Sequence, residues 1–291
     1  MVTHSRVAAV TGANKGIGLA IVRNLALQYP KSSLHSGGFL IYLTARSAER
    51  GAEAVNTLNN DPQLKQAKVL AQDGGDTTIT FKELDISKTK SIKDFSKFLK
   101  QEHPDGLDIV INNAGIALQG FSSDLVKETV ETNYYGTLEA TQDLLPMLKS
   151  GGRLVNVSSM AGSLKKYSDE VRDAFLQASK TDVPAVTAIM ERFKSAVAEG
   201  KEKEAGFPSA GYAVSKAGET AFTKVLAMEE SKRGRNILIN ACCPGYVKTD
   251  MTRGGGAKTP DEGARTPVML ALDDIGGRTG GFWQSEKEIE W

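Results

Sequence analysis

Short apolar runs alternate with longer amphipathic segments along most of the chain. The short runs have the length of buried strands, and the longer segments repeat their apolar residues at helical spacing. Strands alternating with helices predict an α/β protein with a parallel sheet covered by helices on both faces. No shift of composition and no internal repeat divides the chain, so one domain over residues 1–291 is expected. The predicted strands are residues 7–10, 39–43, 78–84, 107–111 and 154–157, and the main predicted helices are residues 17–28, 48–58, 92–99 and 124–149.

The first predicted strand leads directly into the glycine-rich stretch Thr11-Gly12-Ala13-Asn14-Lys15-Gly16-Ile17-Gly18. Glycine permits a tight bend and lets the backbone approach a pyrophosphate, and the helix that follows offers free N–H groups and a positive dipole end. Glycine-rich turns are also common in α/β proteins without a ligand. The correctly placed strand and helix favour a nucleotide site.

Polar segments follow the other predicted strands as well. Ligands of open parallel sheets bind outside the carboxyl ends of the strands, so these segments are expected to line a single crevice. Each one alone could be an ordinary turn. The segments are residues 11–18, 45–46, 85–86, 112–115, 158–159 and 244–245.

The end of the second predicted strand carries information about the cofactor. An NAD-binding fold usually places Asp or Glu there to hold the ribose 2′-hydroxyl, but this strand ends in Thr44-Ala45-Arg46. Arg46, together with Lys15 of the glycine-rich stretch, suits a 2′-phosphate and therefore NADP. The alternative is that both are solvated surface charges.

Tyr212 and Lys216 lie four residues apart and would share one face of a helix. Such a pair arises readily by chance. It gains weight from Ser159, at a strand end facing the same crevice, and from Asn133 within a long predicted helix. The alternatives are a turn or cap hydroxyl for Ser159 and a helix-surface amide for Asn133.

Taken together, these segments resemble the classical short-chain dehydrogenases/reductases, and within them the monomeric NADPH-dependent carbonyl reductases. The resemblance covers essentially the whole chain and implies a single-domain Rossmann-type doubly wound fold that uses NADPH. It also implies a catalytic tetrad of Asn133, Ser159, Tyr212 and Lys216, with Ser159 rather than Ser158 as the active serine. The segments that carry the resemblance are residues 11–18, 112–115, 158–159, 212–216, 241–250 and 285–291.

The chemistry of these side chains suits carbonyl reduction with a hydride from the nicotinamide. Tyr212 would donate a proton to the developing alkoxide, and the Lys216 ammonium would favour its phenolate and hold the nicotinamide ribose. Ser159 would donate a hydrogen bond to the substrate oxygen. A water-anchoring role for Asn133 is implied by the resemblance alone.

The remaining site residues are expected in the same polar segments. Ser159, Met160 and Tyr246 should border the substrate pocket. The residues expected to contact the cofactor are Gly12, Asn14, Lys15, Gly16, Ile17, Gly18, Arg46, Asp85, Ile86, Asn112, Ala114, Gly115, Tyr212, Lys216, Pro244, Gly245, Val247 and Thr249.

Ser159 and Tyr212 are much further apart in sequence than in most classical members of that family. The excess, residues 162–206, shows a helical pattern from Val186 to Val197 and a charged stretch, residues 199–204, expected to be a solvated helix end. The carbonyl reductases resembled here carry such an insertion over the helices used elsewhere for dimerisation, which implies a monomer. Residues 244–262, with three consecutive glycines, are expected to form a substrate lid, although an idle surface loop would look the same.

Composition narrows the remaining choices. The 36 Lys and Arg residues nearly balance the 35 Asp and Glu residues, so no bulk charge favours nucleic acid or an acidic membrane. No apolar run is long enough to span a bilayer, and residues 1–6 lack the core of a signal peptide. The adjacent Cys242 and Cys243 argue against a disulfide framework and are expected to pack as small apolar side chains. The cytosol is the expected location.

The sequence therefore predicts an NADPH-dependent carbonyl reductase that converts ketones or aldehydes to alcohols. The three scattered histidines support neither a metal site nor a Ser-His-Asp hydrolase. Two alternatives stay open at this point. One is an alcohol or steroid dehydrogenase dedicated to one metabolite, and the other is a non-catalytic regulator that senses NADP.

Overall fold

The computed structural model describes residues 4–291. Residues 1–3, part of the segment predicted not to be a signal peptide, lie outside the described residues. The strands are β1 (His4–Val10), β2 (Gly38–Ala45), β3 (Thr77–Glu83), β4 (Leu107–Asn112), β5 (Leu148–Val157), β6 (Leu238–Cys243), β7 (Phe282–Gln284) and β8 (Lys287–Ile289). The α-helices are α1 (Gly16–Gln28), α2 (Ala48–Asn59), α3 (Pro62–Ala67), α4 (Thr89–Glu102), α5 (Ser123–Val130), α6 (Thr137–Leu144), α7 (Asp169–Ala178), α8 (Val183–Ala198), α9 (Gly211–Arg233) and α10 (Pro260–Leu272).

The strands form one sheet in the order β3-β2-β1-β4-β5-β6-β7-β8. Strands β1 to β7 are parallel to their neighbours, and β8 is antiparallel to β7. Helices α4 to α9 bury their apolar residues on one face of the sheet, and α1 to α3 with α10 do so on the other. The predicted Rossmann-type doubly wound fold is confirmed. Its order reverses between β1 and β4, where such sheets open a ligand crevice.

The long helix predicted over residues 124–149 is interrupted and ends early. A wider π-helical turn, Glu131–Gly136, joins α5 to α6. Residues 148 and 149 belong to β5, and Gly151 and Gly152 lie inside that strand rather than before it. The register shifts between the Leu107–Leu148 and Ile109–Arg153 pairs, and the glycines accommodate this irregularity.

The insertion predicted over residues 162–206 contains two helices, α7 and α8, of which the sequence pattern showed only α8. Helix α8 packs against α5 and α9. The apolar residues of its predicted pattern are all buried: Val186, Ile189, Met190, Phe193 and Val197.

The solvated helix end predicted for residues 199–204 is wrong at one position. Glu202 is buried, and its carboxylate accepts a 2.5 Å hydrogen bond from the Ser209 hydroxyl. This bond draws the side chain inward, while the residues on either side of it stay exposed.

The segment predicted as a lid leaves the sheet after β6. Its base is closed by main-chain hydrogen bonds, from Lys248 N to Lys258 O at 2.9 Å and from Lys258 N to Tyr246 O at 3.0 Å. Residues 260–262 form the first turn of α10, so the loop itself ends before Pro260. Over residues 4–291, the helices are too short or too polar to pass through a bilayer.

Candidate active site

The turn between β1 and α1 leaves no space for a side chain at Gly12 or Gly18. Gly12 has φ +61°, and a Cβ there would lie 2.8 Å from the Cα of Ala114. A Cβ on Gly18 would lie 2.4 Å from the carbonyl oxygen of Gly12. Lys15, the N-cap of α1, provides no side-chain cap, so the N–H groups at the helix start stay available to an anion. The turn therefore fits a dinucleotide pyrophosphate.

Asn113, which the sequence analysis did not single out, holds this turn in place. Its amide Nδ2 donates to the carbonyl oxygens of Thr11 and Gly12, both at 3.0 Å. In return, the main-chain N–H groups of Asn113 and Ala114 donate to the Thr11 hydroxyl at 3.0 Å. The loop after β4 thus fixes the shape of the glycine turn after β1.

The neighbouring Asn112 points the opposite way. Its side chain is buried and donates to the Thr141 hydroxyl and to the Asn156 amide oxygen, both at 2.9 Å. Successive residues of a strand face opposite sides, and here only the second of the two asparagines faces the turn. The side-chain amide of the predicted cofactor residue Asn112 is therefore turned away from the glycine turn and engaged inside the protein.

Two cations lie near the expected adenosine end of the crevice. Arg46, at the end of β2, is exposed. Lys15 Nζ lies 2.6 Å from Asp250 Oδ2, and both side chains are largely exposed. This ion pair links the glycine turn to the predicted lid, an arrangement the sequence analysis did not anticipate.

Asp85 and Ile86 follow β3 on the same side. Burial opposes ionisation of Asp85, but hydrogen bonds from Ser87 and the charge of Lys88 hold its pKa below the usual value. The carboxylate is therefore charged at neutral pH and accepts from the Ser87 main chain and hydroxyl at 3.1 and 2.7 Å. Ile86 is buried beneath it.

Tyr212 and Ser159 meet at the mouth of the crevice. Tyr212 lies in the first turn of α9 and Ser159 follows β5, and both residues are partly buried. Burial raises the pKa of Tyr212, while Lys216 and a hydrogen bond with Ser159 lower it, and the net shift is upward. Tyr212 is therefore protonated at neutral pH and able to donate.

The adjacent Ser158 is turned into the protein. It is buried, and its hydroxyl lies 3.0 Å from the carbonyl oxygen of Lys216 and 2.7 Å from the Thr220 hydroxyl. Of the two serines, only Ser159 is placed to meet a substrate.

Lys216 lies one helical turn beyond Tyr212 and is almost completely buried. Its Nζ is 5.9 Å from the centre of the Tyr212 ring and donates to the carbonyl oxygen of Val157 at 2.9 Å. Nζ also lies 2.6 Å from Oε2 of Glu219, another residue that the sequence analysis missed. Burial acts to lower the pKa of Lys216, but Glu219 and Tyr212 outweigh it, so the net shift is upward.

Asn133 lies in the π-helical turn and faces inward. Its Oδ1 accepts from Ile116 N and its Nδ2 donates to Ile116 O, both at 2.8 Å. Nδ2 also lies 3.1 Å from the hydroxyl of Ser215, the residue before Lys216. Asn133 thus connects the loop after β4 to the helix of the Tyr–Lys pair, and a Cβ on Gly115 in that loop would lie only 3.1 Å from Asn133 Oδ1.

Large apolar or aromatic side chains lie on several loops that follow the strands. Met160 packs against a small cluster that includes Cys243, and Tyr246 is 63% exposed. Two further large apolar side chains are exposed on loops at the carboxyl ends of the strands, Phe121 after β4 and Met251 in the predicted lid. Because ligands of such sheets bind at the carboxyl ends of the strands, these side chains favour an apolar ligand.

The first part of the loop after β6 reaches the glycine turn. Pro244 and Gly245 are half-buried, and Val247 is buried. A Cβ on Gly16 would lie 3.3 Å from the methyl group of Thr249. Cys242 and Cys243 are buried, as predicted. Among residues 4–291, no three His, Cys, Asp or Glu side chains cluster as metal ligands would.

Comparison with known proteins agrees with this geometry. The family model of the short chain dehydrogenases matches residues 6–192 and 196–259. Carbonyl reductase (NADPH) 1 of Mus musculus is 40% identical over 296 residues, which cover 98% of each chain. The protein of the same name from Homo sapiens is 40% identical over 294 residues, covering 98% of this chain and 97% of the human one.

Two solved structures from plants resemble the fold closely. Salutaridine reductase from Papaver somniferum has a TM-score of 0.80 and 28% identity, covering 96% of this chain and 99% of its own. Menthone neomenthol reductase from Mentha piperita has a TM-score of 0.75 and 27% identity, covering 96% of this chain and 98% of its own. The chain therefore belongs to the short-chain dehydrogenase family.

Proposed function

We propose that this protein is an NADPH-dependent carbonyl reductase that converts ketones or aldehydes to alcohols. The observation that carries the proposal is the meeting of Tyr212 and Ser159 at the mouth of the crevice, with Lys216 buried behind them. Relatives about 40% identical over nearly their full length bear the name carbonyl reductase (NADPH) and support the same reaction.

The side chains divide the chemistry between them. NADPH, when bound, supplies the hydride that adds to the carbonyl carbon. Tyr212 gives its phenolic proton to the carbonyl oxygen, so that the product is a neutral alcohol. Ser159 donates a hydrogen bond to the same oxygen as negative charge develops on it. The Lys216 ammonium stabilises the phenolate that remains, and proton uptake from solvent restores Tyr212.

The chain's own residues also suit the phosphorylated cofactor. The glycine turn and the uncapped start of α1 would hold the pyrophosphate. Arg46 is exposed and free to reach a 2′-phosphate, and Lys15 could join it by leaving Asp250. Lys216 would hold the nicotinamide ribose.

A second candidate is a reductase dedicated to a single metabolite. The observation that favours it is the likeness to two plant enzymes whose names state one substrate, salutaridine and menthone. Identity to the carbonyl reductases is higher, 40% against 28% and 27%, so broad carbonyl reduction is the first choice. A protein that only sensed NADP would not need the side chains of Asn133, Ser159, Tyr212 and Lys216 gathered beside one crevice.

We further propose that the protein is a cytosolic monomer. The family resemblance implies that the insertion covers the helices used elsewhere for dimerisation, and α8 of the insertion packs against α5 and α9. The near balance of charges and the buried, unpaired cysteines are compatible with the cytosol.

A substrate panel tests the reaction directly. Aromatic ketones, quinones, aliphatic aldehydes and steroid ketones would be offered with NADPH, and turnover followed by loss of NADPH absorbance. Turnover of several classes supports the first candidate, and one dominant substrate supports the second. No turnover of any carbonyl, with NADPH binding intact, would overturn both.

A further inference from the structure

Glu219 is buried deep in α9 beside the proposed catalytic lysine. Its side chain is 1% exposed and that of Lys216 is 4% exposed, and the two atoms Oε2 and Nζ are 2.6 Å apart. The residues lie three positions apart on one helix, which directs both side chains to the same face. The reaction proposed above assigns no task to this carboxylate.

Without a partner, an ammonium in this position would lose its proton at a lower pH. Burial disfavours the charged form of lysine, and a buried charge persists only when it is paired. The carbonyl oxygen of Val157 at 2.9 Å supplies one acceptor to Nζ, but no negative charge. Glu219 supplies that charge, and Lys216 responds with a pKa above its usual value.

The charge of Lys216 in turn acts on Tyr212. Lys216 lowers the pKa of Tyr212, and the more distant Glu219 raises it. Strand β6 faces the group with Cys242, whose thiol stays uncharged because burial raises its pKa well above the usual value, and with Cys243, which lies toward Tyr212. The electrostatics of this part of the site therefore depend on three coupled groups: Tyr212, Lys216 and Glu219.

We propose that Glu219 is a positioning residue that holds Lys216 in place and charged, and thereby sets the alkaline limit of carbonyl reduction. The proposal rests on the proposed function, because it assumes that Tyr212 is the proton donor. Removing the carboxylate makes Lys216 lose its proton at lower pH. It also removes the negative charge that opposes ionisation of Tyr212. Both effects deplete the competent form, with Tyr212 protonated and Lys216 charged, at a lower pH.

The effect of Glu219 on Lys216 should itself depend on pH, because it requires the ionised carboxylate. Burial raises the pKa of Glu219 to about 7, against the attraction of Lys216, which lowers it. A glutamine at this position therefore resembles the state that the wild type already adopts below neutral pH. Wild type and Glu219→Gln should accordingly reduce substrate at similar rates in mildly acidic buffer and diverge above neutrality.

The first experiment is the pH profile of kcat/KM for carbonyl reduction in wild type, Glu219→Gln and Glu219→Asp. The alkaline limb of Glu219→Gln should lie about one pH unit below that of the wild type. Glu219→Asp keeps the charge on an arm one methylene shorter, so its limb should lie between the two. If Glu219→Gln does not fold, the comparison of Glu219→Asp with wild type decides. A limb that stays at the wild-type position in the folded variants would overturn the proposal, because a purely structural role would not move it.

The second experiment needs no turnover. In the free enzyme labelled with ¹³C at the glutamate side-chain carboxyl, one resonance should titrate near neutral pH and be missing in Glu219→Asp. A Glu219 carboxyl that stayed protonated throughout the active pH range would overturn the proposal, because a neutral carboxyl could not keep Lys216 charged. Tyr212→Phe distinguishes a wrong assignment of the proton donor from a wrong role for Glu219. If Tyr212→Phe stays active, the proposed donor is wrong, whereas an inactive Tyr212→Phe with an unmoved Glu219→Gln limb rejects the role of Glu219 alone.

Discussion

The side chain of Asn133 forms a two-way hydrogen bond with the main chain of Ile116. The amide oxygen accepts from the N–H group and the amide nitrogen donates to the carbonyl group, both at 2.8 Å. Through Ser215, the same amide reaches the helix that carries Tyr212 and Lys216. Asn133 is therefore a clamp that holds the loop after β4 against helix α9. This holds whether or not Asn133 also takes part in the reaction.

Asn133→Asp should damage both stability and turnover. A carboxylate can still accept from Ile116 N, but it would face the Ile116 carbonyl oxygen without a hydrogen to share. Leaving a buried polar group unpaired costs about 1–3 kcal/mol, visible as a lower thermal midpoint. A displaced Tyr212 should lower kcat by about 10- to 100-fold. Asn56→Asp, on the exposed face of α2, serves as the control. Equal stability and turnover in wild type and Asn133→Asp would show that the clamp has no effect.

Tyr212→Phe should abolish most of the activity while leaving the cofactor bound. The ring and its packing stay, but the proposed proton donor is lost, which typically lowers the rate by about 10²–10⁴-fold. NADPH affinity, measured by fluorescence titration, should change little because Lys216 is untouched. Tyr167→Phe is a matched control, since that buried hydroxyl has no hydrogen-bond partner within residues 4–291. More than about a tenth of the wild-type rate, with chemistry limiting, would exclude Tyr212 as the acid.

Substituting the two adjacent serines should affect different quantities, mainly turnover for Ser159 and mainly stability for Ser158. Ser159→Ala removes a donor to the substrate oxygen and should lower kcat by about 10²-fold. It should also lower the thermal midpoint slightly, because the Ser159 hydroxyl accepts a 3.1 Å hydrogen bond from Ala161 N. Ser158→Ala removes the buried bonds to Lys216 O and Thr220 and should lower the free energy of unfolding by about 1 kcal/mol. Steady-state kinetics and thermal denaturation of both variants give the comparison. The reverse pattern would make Ser158 the active serine.

Arg46→Asp should shift the cofactor preference from NADPH toward NADH. A charge-assisted bond to a phosphate is worth about 1.5–3 kcal/mol, so the ratio of kcat/KM values should fall by roughly 10- to 100-fold. Arg265→Asp, on the exposed surface of α10, controls for the change of charge alone. A wild type that used both cofactors equally well would contradict the assignment to NADPH.

The protein should remain a monomer at micromolar concentration. Light scattering should give a mass near 31.2 kDa that does not change on dilution. The physical reason is that α8 packs against α5 and α9 with Val186 and Phe193 buried, so these apolar side chains are not available to a partner. A stable mass near twice that value would mean that another surface mediates association.

The parts of the site that the sequence predicted are those fixed by local structure. A glycine turn between a strand and a helix, and a Tyr–Lys pair four residues apart, have the same geometry in any chain that adopts those elements. The alternation of strands and helices likewise predicted a parallel sheet with its polar strand ends along one edge. Ser159 follows such a strand end, whereas Tyr212 begins a helix and was connected to Ser159 through its pairing with Lys216 and the family resemblance.

The missed residues depend on packing between distant segments. Asn112 and Asn113 are adjacent and chemically identical, and only the sheet decides which one meets the glycine turn. Glu219 did carry a local signal, because it lies three residues beyond Lys216 on the same helix. Its burial was not visible, since glutamate on a helix is usually solvated.

The bond between Asn113 and the glycine turn also has a consequence for the order of folding. Its partners Thr11 and Gly12 are 102 and 101 positions away along the chain. The turn therefore cannot take its final shape until β4 has docked beside β1, and closing so long a loop is a late and slow event. A nascent chain that has released only its first hundred or so residues holds the glycine motif without the geometry to use it. Cofactor binding would then not accelerate the early steps of folding, and its main effect would be to slow unfolding.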